Sequence, residues 1–273
     1  MSKKITKKQS IWFMANRRRK KRKTEKTGKE DIPPIFPIRA NLEAYTWAEL
    51  DYISTLDIAP NAMTDELIRA KYNFGIGDKK TFVMNGLTYN AQIIGVNHDD
   101  FADGSGKAGL TFQSLELYKD MAAMNLTNTN VGGWQLSNMR TVTLPAIRQL
   151  LPQDIQSVLK TVNKLAANGG NQAGVTVIPT AEDLFLLSAA EVLPTAGAHS
   201  GEGNRYQHWA EGSTDNGLKF IAGTSESPNW WVRSTQRASA SNGLIVATII
   251  GSNMWVVASS SDVPRGVSFA FCV

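Results

Sequence analysis

The sharpest pattern of apolar and polar positions is a hairpin. Thr81–Met84 and Leu87–Ile93 are strand-forming runs separated by Asn85-Gly86, the pair best suited to a two-residue turn with positive φ at both centres. In the second run Leu87, Tyr89, Ala91 and Ile93 share one face, and Thr88, Asn90 and Gln92 share the other. One side is therefore expected in the core and one in water. Residues 41–71 read as short helices. Thr46 is followed three residues later by Glu49, a capping-box pattern, and Thr64-Asp65-Glu66 opens a similar stretch. The clearest helix is expected within 144–167. There Ile155, Val158, Leu159, Val162, Leu165 and Ala166 recur at helical spacing, with Gln, Lys and Asn opposite, Pro152 in the first turn and Asn168-Gly169-Gly170 as the stop. Leu184–Leu187 predicts a short buried strand. Residues 195–227, rich in Gly, Ser, Thr and Asn, predict long loops with few core residues. Leu244–Ile250 and Met254–Val257 predict a second hairpin turning at Gly251–Asn253. In the closing stretch Val267, Phe269 and Phe271 alternate with small residues, as in a half-buried strand.

Composition changes this picture at the N-terminal end. The 273 residues carry a net charge of +5, but residues 1–30 hold 13 Lys/Arg against 2 Glu, a balance of +11, and the rest stands at −6. The basic character belongs to a tail centred on Arg17, Arg18, Arg19, Lys20, Lys21, Arg22 and Lys23. Seven adjacent cations repel one another, so a disordered tail or one docked on an anionic partner is expected. Trp12 and Phe13 favour docking on a protein, since a purely solubilising tail has no use for them. Asp31–Ile38, with three prolines, reads as an extended spacer leading into the helices that end near residue 71. The tail's apolar run of five residues is too short for a secretory signal, and no run of 18 apolar residues exists to span a membrane.

Candidate chemistry is sparse. Cys272 is the single cysteine, which excludes an intramolecular disulfide and a zinc site built on two cysteines. Asp99, Asp100 and Asp103 could face a cation, but the stretch lacks the EF-hand spacing and its terminal Glu, so a polar turn is expected and no metal or other cofactor is assigned. His98, His199 and His208 have no partners at ligand spacing. No nucleophile elbow or phosphate-binding loop is present.

Several blocks carry a resemblance. They are Phe74-Gly-Ile-Gly-Asp78, the Asn85-Gly86 hairpin, Ile94-Gly-Val-Asn-His-Asp99 and Ala102-Asp-Gly-Ser-Gly-Lys-Ala-Gly109. Asn130-Val-Gly-Gly-Trp134 with Met139-Arg140, Leu151-Pro-x-Asp-x-Gln-Ser-Val158 and Leu184-Phe-Leu-Leu-Ser188 follow. Trp230-Trp-x-Arg-Ser234 and Gly266-Val-Ser-Phe-x-Phe-Cys272 complete the set. Over about residues 72–273 these resemble a domain family of unknown function found in phages and prophages. That group is similar in turn to the variable proteins of diversity-generating retroelements. The resemblance implies an α+β, C-type-lectin-like domain with a small twisted antiparallel sheet, two or more helices and long loops. It implies a non-enzymatic receptor-binding role, with a diversified face near 235–262 displayed on a virion, at a phage tail or particle surface, after synthesis in the host cytoplasm. The segment between Arg233 and Gly266 mixes Ala, Ser, Thr, Val, Ile, Asn and Arg without clear periodicity, as positions free to vary would. The face residues expected are Thr235, Gln236, Arg237, Ser239, Ser241, Asn242, Asn253, Trp255, Ser259 and Asp262. Trp230 and Trp231 are expected in the core, and Arg233 in an internal pair.

The partners implied are a host-surface or other protein ligand and phage structural proteins. A homo-oligomer is compatible, and nucleic acid is an option only for the tail. Competing readings are a fixed virion component, such as a tail or capsid decoration held by the basic tail, and a cytoplasmic protein whose tail binds nucleic acid. A formylglycine-generating type of enzyme is disfavoured by the lone Cys272. A calcium lectin is disfavoured because Ser227-Pro228-Asn229 only weakly resembles a Glu-Pro-Asn sugar motif.

Overall fold

The structure, a computed structural model, describes residues 37–210, 217–247 and 254–273. The tail cations Arg17–Lys23 and the expected contact residue Asn253 lie outside the described residues. Among the described residues the architecture is mixed α+β, with three small antiparallel sheets and a few short helices. The first sheet has the order β1-β2-β3-β9, from Lys79–Met84, Leu87–Val96, Leu110–Ser114 and Ala270–Cys272. The second pairs β4 (Val162–Ala167) with β5 (Val177–Glu182). The third has the order β6-β7-β8, from Trp230–Thr235, Asn242–Ala247 and Trp255–Ser260.

The Asn85-Gly86 hairpin forms as expected. Both turn residues have positive φ, 52° and 74°, and Met84 pairs with Leu87 directly across the turn. Tyr89, Ala91 and Ile93 are buried, but so is Gln92, because the far end of β2 is covered on both faces. The second hairpin also forms, with Ala247 opposite Trp255 and Ile245 opposite Val257. Its expected turn, Gly251–Asn253, is outside the described residues.

The expected boundary at residues 71 and 72 has no counterpart, since Arg39–Val273 forms one compact unit. The helices α1 (Trp47–Ile53) and α2 (Asp65–Tyr72) belong to it. Thr46 caps α1 through the anticipated box: its hydroxyl accepts from Glu49 N while Glu49 accepts from Thr46 N. That cap delivers Trp47, Leu50 and Ile53 to the interior, where the Trp47 ring packs edge-on against Phe112 of β3 at 5.3 Å and against Phe271 of β9 at 5.7 Å. A separate linker would leave these rings in water.

The helix expected across 144–167 stops early. Helical turns cover α4 (Leu144–Leu150) and α5 (Gln153–Gln156), after the single-turn α3 (Gly133–Leu136), and then the chain enters β4. The side chains at 162, 164 and 166 are buried whereas Leu165 is 37% exposed. The true period there is two, disguised because one inward position is a lysine. The closing stretch Gly266–Val273 is buried on both faces rather than one. It bonds to β3 on one side and meets Phe185 and Lys160 through isolated bridges on the other. Residues 195–227 do run as long loops, but they contribute Tyr206, Trp209, Glu202 and Lys219 to the interior. A hydrophobic cluster joins all three sheets through Ile94, Val162, Trp230, Val232, Leu244, Val246 and Ala270.

Candidate functional site

Strand β6 supplies the frame. Trp230 and Trp231 are fully buried, and their ring N–H groups donate to Gly217 O at 2.9 Å and Ala122 O at 2.8 Å. Arg233 is also buried. Its Nη1 and Nη2 donate to the two oxygens of Glu191 at 2.6 and 2.8 Å, and its remaining donors reach Leu165 O, Leu186 O and Glu202 O. Every hydrogen on the guanidinium is thereby spent on the protein itself, which uses the fixed fork that a lysine lacks.

Beyond Arg233 the chain divides. Thr235, expected on the binding face, is buried and donates to Gly169 O at 2.6 Å. Ser259, expected there too, is buried and accepts from Arg265 Nε at 3.1 Å. Both are corrections: these hydroxyls hold loops together. The turn between β6 and β7 is stitched to its surroundings by main chain and by one buried asparagine. Asn130 Nδ2 donates to Ser239 O at 2.8 Å and Asn242 O at 2.9 Å, while its Oδ1 accepts from Gly170 N and Gln172 Nε2. Asn242 Nδ2 donates to Gln236 Oε1 at 3.0 Å, and Ser239 Oγ accepts from the backbone of Ser241 and Asn242. Arg237 and Asp262 are exposed, Gln236, Ser239, Ser241 and Asn242 are partly exposed, and Trp255 on the edge strand β8 is 46% exposed.

Sequence reasoning missed the charged cluster beneath this frame. Lys164 Nζ, on β4, lies 2.6 Å from Asp99 Oδ1, 2.7 Å from Glu191 Oε1 and 2.9 Å from Tyr206 OH. All four residues are buried. Tyr206 OH also meets Asp99, and Thr111 Oγ1 donates to Asp99 Oδ2 at 2.7 Å. Burial opposes ionisation of Asp99, but Lys164 and His98 outweigh it and hold the carboxyl well below the usual range. Glu191 is likewise held down against burial, by Arg233 and Lys164. Glu202 behaves oppositely: burial pushes its pKa up, although Ser234 Oγ and Ala167 N donate to it. Burial and Asp99 together push the Tyr206 phenol and the Cys272 thiol well up.

The three aspartates considered for a metal go separate ways. Asp99 is in the cluster, Asp100 pairs with Lys107, and Asp103 accepts from Ser105 N within the turn. No group of three or more metal-ligating side chains that could hold an ion exists among the described residues.

An open depression of about 590 Å³ lies where Arg237 meets the loop running from Pro194 to Arg205. This loop follows α6 (Ala189–Val192), whose Ser188–Glu191 capping box uses the carboxylate that binds Arg233. Arg237 N donates to Gly197 O at 2.8 Å, and Arg205 Nε donates to Val192 O at 3.0 Å, so both arginines are anchored at the rim. His199 lines the same depression, and burial, followed by the charge of Arg237, lowers its pKa. Of these residues only Arg237 was anticipated. The loop's Gly, Ser and Thr content signals irregular backbone but not concavity.

The model of a family described as "Domain of unknown function (DUF6273)" matches residues 113–273, more than half of the chain. The chain belongs to this family. No curated protein and no solved structure matches it. The DUF6273 region takes in Asn130, Lys164, Glu191, Glu202 and Arg233, together with the depression and the whole segment 235–262. It begins inside β3, so Asp99, β1, β2 and the two N-terminal helices precede the region although they fold with it. No helix among the described residues is long and apolar enough to cross a membrane.

Proposed function

We propose that the chain is a non-enzymatic ligand-binding protein, whose 235–262 segment supplies contact side chains on a fixed backbone. One observation carries this reading: the segment separates into buried frame and outward side chains. Thr235, Gly243–Val246 and Ser259 are buried, the turn is held by Asn130 and by main-chain bonds, and Arg237, Trp255 and Asp262 project outward. Outward side chains can then change while the bonds that position them stay. Such preorganisation lowers the ordering cost of binding, and exposed Trp and Arg are the side chains most often found as hot spots. Sealing of Cys272 and the Lys164 cluster in the interior supports binding over catalysis, because neither faces the open depression.

The proposal extends to the C-type-lectin-like fold and to a phage-encoded, diversified receptor binder anchored through its basic tail. Three small antiparallel sheets with long loops, and the motif blocks quoted above, support that extension. The test is a simultaneous exchange of Gln236, Arg237, Ser239, Ser241, Trp255 and Asp262 for other polar and aromatic residues. The melting temperature should stay within a few degrees while the surface captured among host-cell envelopes changes. A chain that unfolds on this exchange, or keeps its target, refutes the reading. Deep sequencing of the encoding locus separates a diversified from a fixed component. Substitutions confined to codons 235–262, at adenines of a nearby repeat, are the expected result.

A further inference from the structure

The depression beside Arg237 has a chemistry of its own. Two arginines, Arg205 and Arg237, line it, and among the described residues no carboxylate does. Neither arginine has a carboxylate partner among the described residues, whereas Arg39, Arg69, Arg140, Arg148 and Arg233 each have one. The remaining wall is made mostly of small residues, polar at Thr195, Ser200 and Asn204 and apolar at Pro194, Ala196 and Ala198. Among the described residues, the two glutamates within or next to this loop in the chain are already engaged. Glu191 and Glu202 are buried beneath, the first saturated by Arg233 and Lys164, the second held by Ser234 and Ala167. An open concavity of about 590 Å³ is within the size range that holds a small molecule. Paired forks without acids suit a planar or tetrahedral oxyanion, and hydroxyl and amide neighbours suit a polyhydroxylated body.

We propose that this depression binds an oxyanion, a carboxylate or phosphate, carried on a small sugar-like ligand, with Arg205 and Arg237 as its recognition residues. The inference rests on the binding reading above and names a ligand class for the part of the face that includes Arg237. Its main-chain bond to Gly197 fixes the backbone of Arg237 at the rim, and the bond from Arg205 Nε to Val192 O leaves that residue's terminal nitrogens for the anion.

The experiment is calorimetric titration of the full chain at low ionic strength with glucuronate, glucose 6-phosphate, inorganic phosphate and glucose. Glucuronate or glucose 6-phosphate should saturate, and glucose should not. Arg237→Gln and Arg205→Gln should each weaken binding by roughly tenfold or more, Arg237→Lys should retain part of it, and Val83→Ala, at an exposed position on β1 outside the depression, should leave it unchanged. Melting temperatures confirm that each variant folds. Preference for glucuronate assigns the anion as a carboxylate; preference for glucose 6-phosphate over inorganic phosphate assigns a sugar phosphate. Equal binding of glucose, no binding of any acidic probe, inorganic phosphate binding as tightly as the sugar acids, or arginine variants with unchanged affinity would overturn the inference. A face exchange that alters the captured target while no acidic sugar binds removes this inference and leaves the display reading standing. Acidic-sugar binding in a chain whose face exchange alters no target does the reverse.

Discussion

Replacing Lys164 with methionine isolates the energetics of the buried cluster. The substitution keeps side-chain length and removes the charge. Asp99 and Glu191 would then lose the ammonium that lies 2.6 and 2.7 Å away, and Tyr206 would lose a donor at 2.9 Å. Lys164 and both carboxylates are only 2% exposed, so water cannot take its place. Breaking one partner out of a buried ionic group costs about 3–5 kcal/mol. In a folded unit of this size that is a fall in Tm of roughly 6–20 °C. Lys160→Met supplies the control: its pair with Asp51 at 2.6 Å is about 30% exposed on both sides, and such pairs contribute at most about 1 kcal/mol.

The pH dependence sharpens this test. Asp99 and Glu191 have folded pKa values below their unfolded ones. Their contribution to stability is therefore present above the ordinary carboxylate range, near pH 4, and is lost as pH falls through the folded values. Lys164→Met removes much of it, so the gap between wild type and variant should be widest near neutrality and narrow in acid. Adding Asp99→Asn to Lys164→Met should recover part of the loss, because one buried uncompensated charge is gone. Scanning calorimetry from neutral pH into acid measures all three. A loss no larger than that of Lys160→Met, or a gap that stays constant into acid, would refute the argument that Lys164 neutralises these carboxylates.

Thr46→Ala removes the hydroxyl that accepts from Glu49 N, and chemical denaturation should show a loss of about 1 kcal/mol. Gly170→Ala places a Cβ against Ser239 O and Gln236 O, both backbone atoms. It should lower Tm, and NMR shifts should concentrate in residues 236–242 and around Asn130. Cys272 is buried, with its thiol pushed well up by burial and by Asp99. A disulfide-exchange reagent should titrate no thiol in the native protein and one thiol in denaturant; fast native reaction would contradict the packing described.

Local chemistry is what the sequence displayed well. The Asn85-Gly86 turn and the Thr46–Glu49 box each depend on residues adjacent in the chain, and Trp230 and Trp231 on large apolar rings that favour the core; Arg233 does sit in an internal pair, but its partner Glu191 is 42 residues away. The failures share another cause. Val162–Ala167 reads as helix because Val162, Leu165 and Ala166 continue the spacing of Ile155 and Val158. The decisive fact, that Lys164 faces inward, depends on Asp99 and Glu191, 65 residues before it and 27 after. A lysine becomes an interior residue only once distant partners neutralise it, so no local window contains the signal. Thr235 and Ser259 were misplaced for the same reason, since the acceptor at Gly169 and the donor at Arg265 come from other loops. The depression was invisible because it is made by the space between the 194–205 loop and the turn carrying Arg237.

The cluster also bears on how a variable face could be tolerated. Arg233 and Ser234, at the threshold of the 235–262 segment, are fastened to Glu191 and Glu202. Those two glutamates belong to the helix and loop that form the other wall of the depression, and Gly203 between them and Arg205 packs against Glu191. The same bonds therefore fix the origin of the outward segment and the position of the loop facing it. An apolar core could supply equal stability, but it would not specify one register of β6 against this loop as tightly as a bidentate Arg–Glu pair does. On this argument Arg233→Lys should perturb the separation between Arg237 and Arg205 more than it perturbs the core. It would show as weakened acidic-sugar binding in a variant that still folds. If Arg233→Lys folds and binds those probes as well as wild type, the cluster contributes stability alone and the geometry of the depression is set elsewhere.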